Sequence, residues 1–247
     1  MTGSLPSEIE RLCSDRLRGS SALLVDFLKQ VEKLGPDQLR SSLKALQQAF
    51  PVMAVWYFLE QRLLTDELNL AELKSELSTA RESALAMASQ SLAGVEKLLT
   101  ISNSSLVTEA LTSLPSDQRP AVIIGKGRPA EEGVQMSRLL VEAGLKVELV
   151  EDWDLLDRVK AVDLVMTGAD VVSNTGFVNK QGTGELVTAA WASQVPFVVV
   201  AEAFKHIPDW HAPESAYYQP GTEAAVHKQK IFEWIPGLIV DGVVNPK

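Results

Sequence analysis

The chain has 247 residues and a formal net charge of −9. That length allows one large domain, or a small one packed on a larger one. With 46% apolar residues a sizeable core is affordable. The acidic balance excludes nucleic acid as the main partner, because a phosphate backbone needs a basic surface. One cysteine, Cys13, excludes an internal disulfide and fits a reducing compartment. Early charges at Glu8, Glu10 and Arg11 exclude an apolar signal core, and Val52 to Leu59 is too short an apolar run to span a membrane. The expectation is a soluble, cytoplasmic protein.

The first hundred residues predict helices. Ile9, Leu12, Leu17, Leu23, Leu24, Phe27, Leu28, Val31 and Leu34 recur near helical spacing up to a stop at Gly35-Pro36. Leu39, Leu43, Leu46 and Phe50 share the face of a next helix, ended by Pro51. Thr65 is a candidate N-cap, with Glu72, Lys74 and Glu76 on a solvated face. Thr79 to Leu98 is Ala-rich and predicts a long buried or interface helix. The pattern is that of a helical domain over residues 1–96 with no chemistry showing.

From Lys97 onward, short β-type runs alternate with helical stretches. Strands are predicted at Leu98 to Ser102, Ala121 to Ile124, Val147 to Val150, Val162 to Met166 and Pro196 to Ala201, and helices at Leu106 to Leu114, Pro129 to Ala143 and Glu185 to Ser193. Near-continuous apolar strands separated by helices imply a parallel sheet covered on both faces. The fold class is therefore α/β: an N-terminal helical domain, then a Rossmann-like sheet over residues 97–247. Such sheets bind ligands at the carboxyl ends of their strands, where the strand order reverses.

The strand-end segments meeting there carry the candidate site. Gly125-Lys126-Gly127-Arg128 is a glycine-spaced basic turn before a helix, read either as an anion site or as a surface turn with a solvated arginine. Asp170 follows an apolar strand and two small residues, and is a candidate acid/base or a turn cap. Asn179-Lys180 precedes Gly182-Thr183 at a helix start, which combines a neutral donor, a cation, bare amides and a hydroxyl suited to phosphate. Lys205 follows the PFVVVA strand as a second cation or an exposed lysine. His206, His211 and His227 lack metal-ligand spacing, so no metal and no cofactor is expected. Ser102, Ser104 and Ser105 lack a nucleophile-elbow context. The five tryptophans are expected to pack or to form an interface.

GADVVSNTGFVNKQGTGELVTAAWASQVPFVVVAEAFK, Gly168 to Lys205, resembles the signature of the translation initiation factor 2B α, β and δ subunits. That family also contains methylthioribose-1-phosphate and ribose-1,5-bisphosphate isomerases. GRPAEEG, LLTISNSS and DRLRGSS resemble further segments of it. The resemblance implies a helical domain, a Rossmann-like domain and a homodimer or larger assembly. It implies a small phosphorylated sugar or nucleotide as partner, its phosphate held by Arg128, Asn179, Lys180, Gly182 and Thr183, beside Gly127 and Lys205 from the residue reading. It gives Asp170 the catalytic aspartate's position, and places Ser102 where the isomerases keep a cysteine. Aldose–ketose isomerisation is one expectation; a non-catalytic sensor or a regulatory subunit is the alternative.

Overall fold

The computed structural model describes residues 5–63, 70–220, 228–240 and 242–245. Thr65, His227 and Asp241 lie outside the described residues. Five helices come first: α1 (Ser7–Ser14), α2 (Ser20–Val31), α3 (Pro36–Ala49), α4 (Ala54–Leu63) and α5 (Leu70–Ser91). The single helix expected before Gly35 is two, split by a loop over 15–19. Asp15 causes the break: its Oδ1 accepts from the amides of Leu17 and Arg18 at 2.9 and 3.1 Å. A side chain that satisfies those amides offers them an alternative to helix. Leu17, counted in the apolar stripe, is exposed.

Next come β1 (Lys97–Thr100), α6 (Ser105–Ser113), β2 (Ala121–Gly125), α7 (Glu132–Glu142), β3 (Val147–Val150), α8 (Leu155–Arg158) and β4 (Leu164–Gly168). A hairpin follows, β5 (Val171–Ser173) and β6 (Gly176–Lys180), then α9 (Thr183–Ala192) and β7 (Phe197–Val200). Short strands finish the chain: β8 (Tyr218–Pro220), β9 (Lys228–Lys230), β10 (Phe232–Pro236), β11 (Leu238–Val240) and β12 (Val243–Asn245). The main sheet has the order β11-β12-β7-β4-β1-β2-β3. Its strands β7, β4, β1, β2 and β3 are mutually parallel, as expected, while β12 and β11 add an antiparallel edge. The chain winds outward from β1 to β3 and returns to the other side of β1 at β4, so the strand order reverses between β1 and β4.

Alternation along the strands feeds two cores. Leu98, Val122, Ile124 and Met166 face α5, α6 and α7; Leu99, Ile123 and Val165 face α8 and α9. A separate antiparallel sheet, β10-β6-β5, lies between the second of these cores and the helices. Its Val171 and Val178 join a third core with Phe27, Leu43 and Trp56, while Phe177 and Ile235 face the α/β core. Burying each such side chain contributes roughly 1.5–3 kcal/mol. The close fit of α7 on β2 depends on Gly133, where a Cβ would lie 1.9 Å from the Gly125 carbonyl oxygen.

Candidate functional site

A cleft opens at the carboxyl edge of the parallel sheet, at the reversal between β1 and β4, and is closed from above by the 15–19 loop and the start of α2. Its lining draws on Arg16 and Ser20 from the helical region, Ser102 after β1, Glu132 at the start of α7, Asp170 after β4 and Lys180 at the end of β6. Asn179 and Lys205 also face it.

Asp170 sits where β4 hands over to the hairpin. Its amide donates to Val178 O at 2.9 Å, and its carbonyl accepts from the Ala54 amide at 3.1 Å. These bonds fix its backbone between the helical region and the sheet. The residue opens onto the cleft and is crowded on every other side. That desolvation raises its pKa above the ordinary aspartate value, against the pull of the Lys205 ammonium, and the nearby Glu202 charge raises it further.

Lys205 is 6% exposed and ion-paired with Glu202 at 3.0 Å. Glu202, only 1% exposed, also accepts from Ser21 Oγ at 2.7 Å and from the Arg81 guanidinium at 2.9 Å. Burial alone would raise the Glu202 carboxyl. Lys205, Ser21 and the local backbone donor outweigh it and hold the pKa at about 2.

Lys180 is 4% exposed and pairs at 2.6 Å with Glu132, itself 6% exposed. The ammonium also donates to the Gly127 carbonyl at 3.4 Å. Ser102 Oγ donates to the same Glu132 oxygen, Oε1, at 3.3 Å, and Ser102 has a φ of 70°, an uncommon backbone state for a side-chain-bearing residue. Glu132 Oε2 is buried with no hydrogen-bond partner. Asn179 is oriented by its amide, which donates to Thr167 Oγ1 at 2.8 Å and Thr183 Oγ1 at 3.0 Å.

Five sequence-derived candidates, Ser102, Asp170, Asn179, Lys180 and Lys205, therefore meet at one cleft. Four do not line it. Gly127 and Arg128 give their amides to the Asp152 carboxylate at 2.8 and 2.7 Å, and the exposed Arg128 guanidinium faces Glu151 at 3.2 Å. Thr183 is wholly buried and donates to the Lys180 carbonyl at 2.6 Å. Gly182, at a φ of 98°, is the N-cap of α9, whose Gly184 amide is taken by Glu233 at 2.9 Å. These residues shape the cleft walls from behind.

The helical region, read as showing no chemistry, also lines the cleft. Arg16 faces the cleft with its guanidinium 4.9 Å from the centre of the Phe50 ring, and its only hydrogen bonds among the described residues are to the Cys13 and Asp15 carbonyls. Arg18, by contrast, is paired with Asp15 and Asp26 at 2.7 and 2.6 Å. The Ser20 hydroxyl is buried beside Asp170 without a well-aligned partner, in the first turn of α2, whose N-cap Gly19 offers no side chain. A guanidinium and a helix N-terminus on one wall attract an anion. Glu132 was also missed. The available signal was its spacing with Met136 and Leu140, which puts it on the buried face of α7.

The architecture defines a class: a helical layer over a parallel α/β sheet, with a polar cleft at the strand reversal. The residue pattern of the Initiation factor 2 subunit family, IF-2B, matches residues 16–228, and the chain belongs to that family. It is 27% identical over 258 residues to a putative translation initiation factor eIF-2B subunit 2-like protein of Pyrococcus furiosus, covering 96% of this chain and 92% of that one. It is 30% identical over 163 residues to a ribose 1,5-bisphosphate isomerase of Methanocaldococcus jannaschii, covering 61% and 53%. In fold it is similar to the Pyrococcus horikoshii translation initiation factor eIF-2B, with a TM-score of 0.84, 22% identity and 98% of each chain covered. A chain of the tetrameric eIF2B-beta2-delta2 complex from C. thermophilum superposes with a TM-score of 0.68 at 18% identity, covering 93% of this chain and 84% of that one. Among the described residues no helix is long and apolar enough to cross a membrane.

Proposed function

We propose that the cleft binds a small phosphorylated sugar and interconverts its aldose and ketose forms. The observation that carries this reading is Asp170: a desolvated carboxyl with a raised pKa, open to the cleft at the strand reversal, with the buried Lys205 charge beside it. A carboxylate whose pKa is raised towards the working pH is a better base when ionised. The C1–ring-oxygen bond breaks as the sugar opens, Asp170 takes the C2 hydrogen as a proton and returns it to C1, and the C2 hydroxyl proton ends on the freed ring oxygen. C2 is oxidised from alcohol to ketone and C1 is reduced by the same electron pair, so no external oxidant or reductant is needed. Lys205 and the Ser20 hydroxyl stabilise the negative charge that passes through the site. The phosphate lies against Arg16 and the start of α2. The isomerase relative supports this chemistry for the family.

The experiment is turnover of a panel of aldose phosphates, including methylthioribose 1-phosphate and ribose 1,5-bisphosphate, by purified protein with Asp170→Asn as control. The expected result is turnover of at least one ester that the variant lacks. Equal rates with both proteins defeat the proposal.

A second reading is ligand binding without turnover, as in a regulatory subunit. It is favoured by Ser102, a hydroxyl far less acidic than a thiol, whose one carboxylate partner, Glu132 Oε1, is already held by the Lys180 ammonium. The near full-length relatives named as eIF-2B subunit 2-like also support it. Thermal stabilisation by a sugar phosphate or nucleotide with no product formed selects this reading. We also infer a homodimer, tested by light scattering.

A further inference from the structure

The two oxygens of Glu202 are put to different uses. Oε1 accepts from Ser21 Oγ at 2.7 Å, at the start of α2, and from the Arg81 guanidinium of α5 at 2.9 Å. Oε2 faces the Lys205 ammonium at 3.0 Å. The Lys205 amide also donates to the Glu202 carbonyl at 2.9 Å, so both residues are held in one turn after β7. Arg81 in turn holds Glu109 of α6 at 2.5 Å. Charges of alternating sign therefore run from the surface inward: Glu109, Arg81, Glu202, Lys205.

Asp170 stands at the inner end of this row. The ion-pair partner of Lys205 among the described residues is Glu202, not Asp170. The other charges lining the cleft are Lys180 paired with Glu132, Arg18 paired with Asp15, and Arg16 over the Phe50 ring. From α2 come the hydroxyls of Ser20 and Ser21, and from α4 the amide of Ala54. His206, next to Lys205 in the chain, is exposed. The charges that act on Asp170 are Lys205, which lowers its pKa, and Glu202, which raises it. An unmatched ammonium beside a carboxyl so poor in water would hold it ionised and weak as a base.

We infer that Glu202 is the positioning residue of the Asp170 site: it fixes the Lys205 ammonium and meets its charge, which leaves Asp170 able to take a proton and keeps the cation at the cleft for charge developing on the sugar. This rests on the isomerase reading above, in which Asp170 is the base, and extends it to a residue that does not itself line the cleft. Glu202 acts through Lys205, and its anchorage on Ser21 and Arg81 ties the strength of the base to the seating of α2 and α5.

The test is titration of the Asp170 carboxyl by NMR of intact protein labelled at its aspartate carboxyl carbons, with the signal assigned by Asp170→Asn; it needs no substrate. In Glu202→Gln the midpoint is expected to fall, because Lys205 is left unmatched. In Ser21→Ala, which loses a contact to Glu202 but keeps its charge, the midpoint is expected to stay. An unmoved midpoint in Glu202→Gln, or an equal fall in Ser21→Ala, overturns the inference. Where Glu202→Gln does not fold, Lys205→Met and the double variant Glu202→Gln/Lys205→Met read the same coupling without a stranded cation. The midpoint is then expected to be lower in the double variant, and equal midpoints overturn the inference. With an ester that is turned over, Glu202→Gln is expected to lower kcat by about tenfold with KM little changed, and to move the acidic limb of the pH–rate profile to lower pH. An unmoved limb overturns the inference. Absence of turnover with every ester removes the isomerase reading, while the carboxyl titration still decides on Glu202.

Discussion

The cleft contains two buried lysine–glutamate pairs, and they are built differently. Lys205 is paired with Glu202, whose other contacts run back into the protein, to Ser21 at the start of α2 and to Arg81 on α5. Lys180 is paired with Glu132, which gives one oxygen to Lys180 and Ser102 and leaves the other without a partner. The first pair is a structural junction that also supplies positive charge beside Asp170. The second leaves Glu132 Oε2 with neither a hydrogen bond nor an ion pair, whereas Glu202 Oε2 has the Lys205 ammonium at 3.0 Å. Identical residue types are therefore tied into the protein to different degrees, and the difference lies in the neighbours.

That contrast predicts an order of effects. Glu202→Gln strands the buried Lys205 ammonium, while Arg81 keeps Glu109, and is expected to lower the unfolding free energy by about 3 kcal/mol at pH 7 in denaturant titrations. The sign over pH follows from the depressed pKa. Glu202 titrates near 4.5 when unfolded and at about 2 when folded, so its contribution is fully present above 4.5 and lost as pH falls towards 2. The variant should therefore show a shallower acid-unfolding profile across that window. An unchanged profile breaks the claim that this pair is the structural one.

Glu132→Gln should cost less, about 1 kcal/mol, because one Glu132 oxygen already lacks a partner and the Lys180 ammonium keeps the Gly127 carbonyl as a second acceptor. A loss as large as that of Glu202→Gln would erase the distinction. Asp170→Asn acts in the other direction. Its folded pKa is raised, so the proton is favoured in the folded state and the ionised group opposes folding as pH rises. The variant is expected to gain up to about 1 kcal/mol at neutral pH, measured by thermal melts, with the gain shrinking as pH falls from the raised folded pKa and gone below the ordinary aspartate pKa. Arg128→Ala marks the lower bound: an exposed guanidinium paired outside the cleft should change stability by less than about 0.5 kcal/mol and leave ligand affinity near its starting value.

The parallel strands were legible because their apolar runs are strong and bounded: β2, β3 and β7 fall where Ala121, Val147 and Pro196 announce them. The β5–β6 hairpin was not. Its strands are short, the intervening Ser173 to Gly176 reads as a turn, and the pairing that stabilises β6 comes from β10, far along the chain. The predicted helix at Pro129 begins only at Glu132, after Glu131 adopts a φ of 56°. Of the site, the residues in a compact signature were readable, Asp170 and Asn179-Lys180 above all. The contributions of Arg16, Ser20 and Glu132 depend on tertiary placement. Arg16 and Ser20 lie in the DRLRGSS segment and Glu132 in GRPAEEG, but the segments alone do not say which side chains face the cleft: Glu131 is turned outward and Glu132 inward.

The helix α5 belongs to two cores at once. Leu73 and Leu77 pack with the N-terminal helices, Ala84 and Ala88 pack against the parallel sheet, and between them Arg81 holds Glu202. It works as a rigid beam shared by both floors of the building. The roof of the cleft and its sheet cannot swing apart as separate bodies without breaking a helix or baring one of its faces. Access to the cleft is thereby left to the 15–19 loop and the side chains at the mouth, and heat should melt the two halves in one transition, not two.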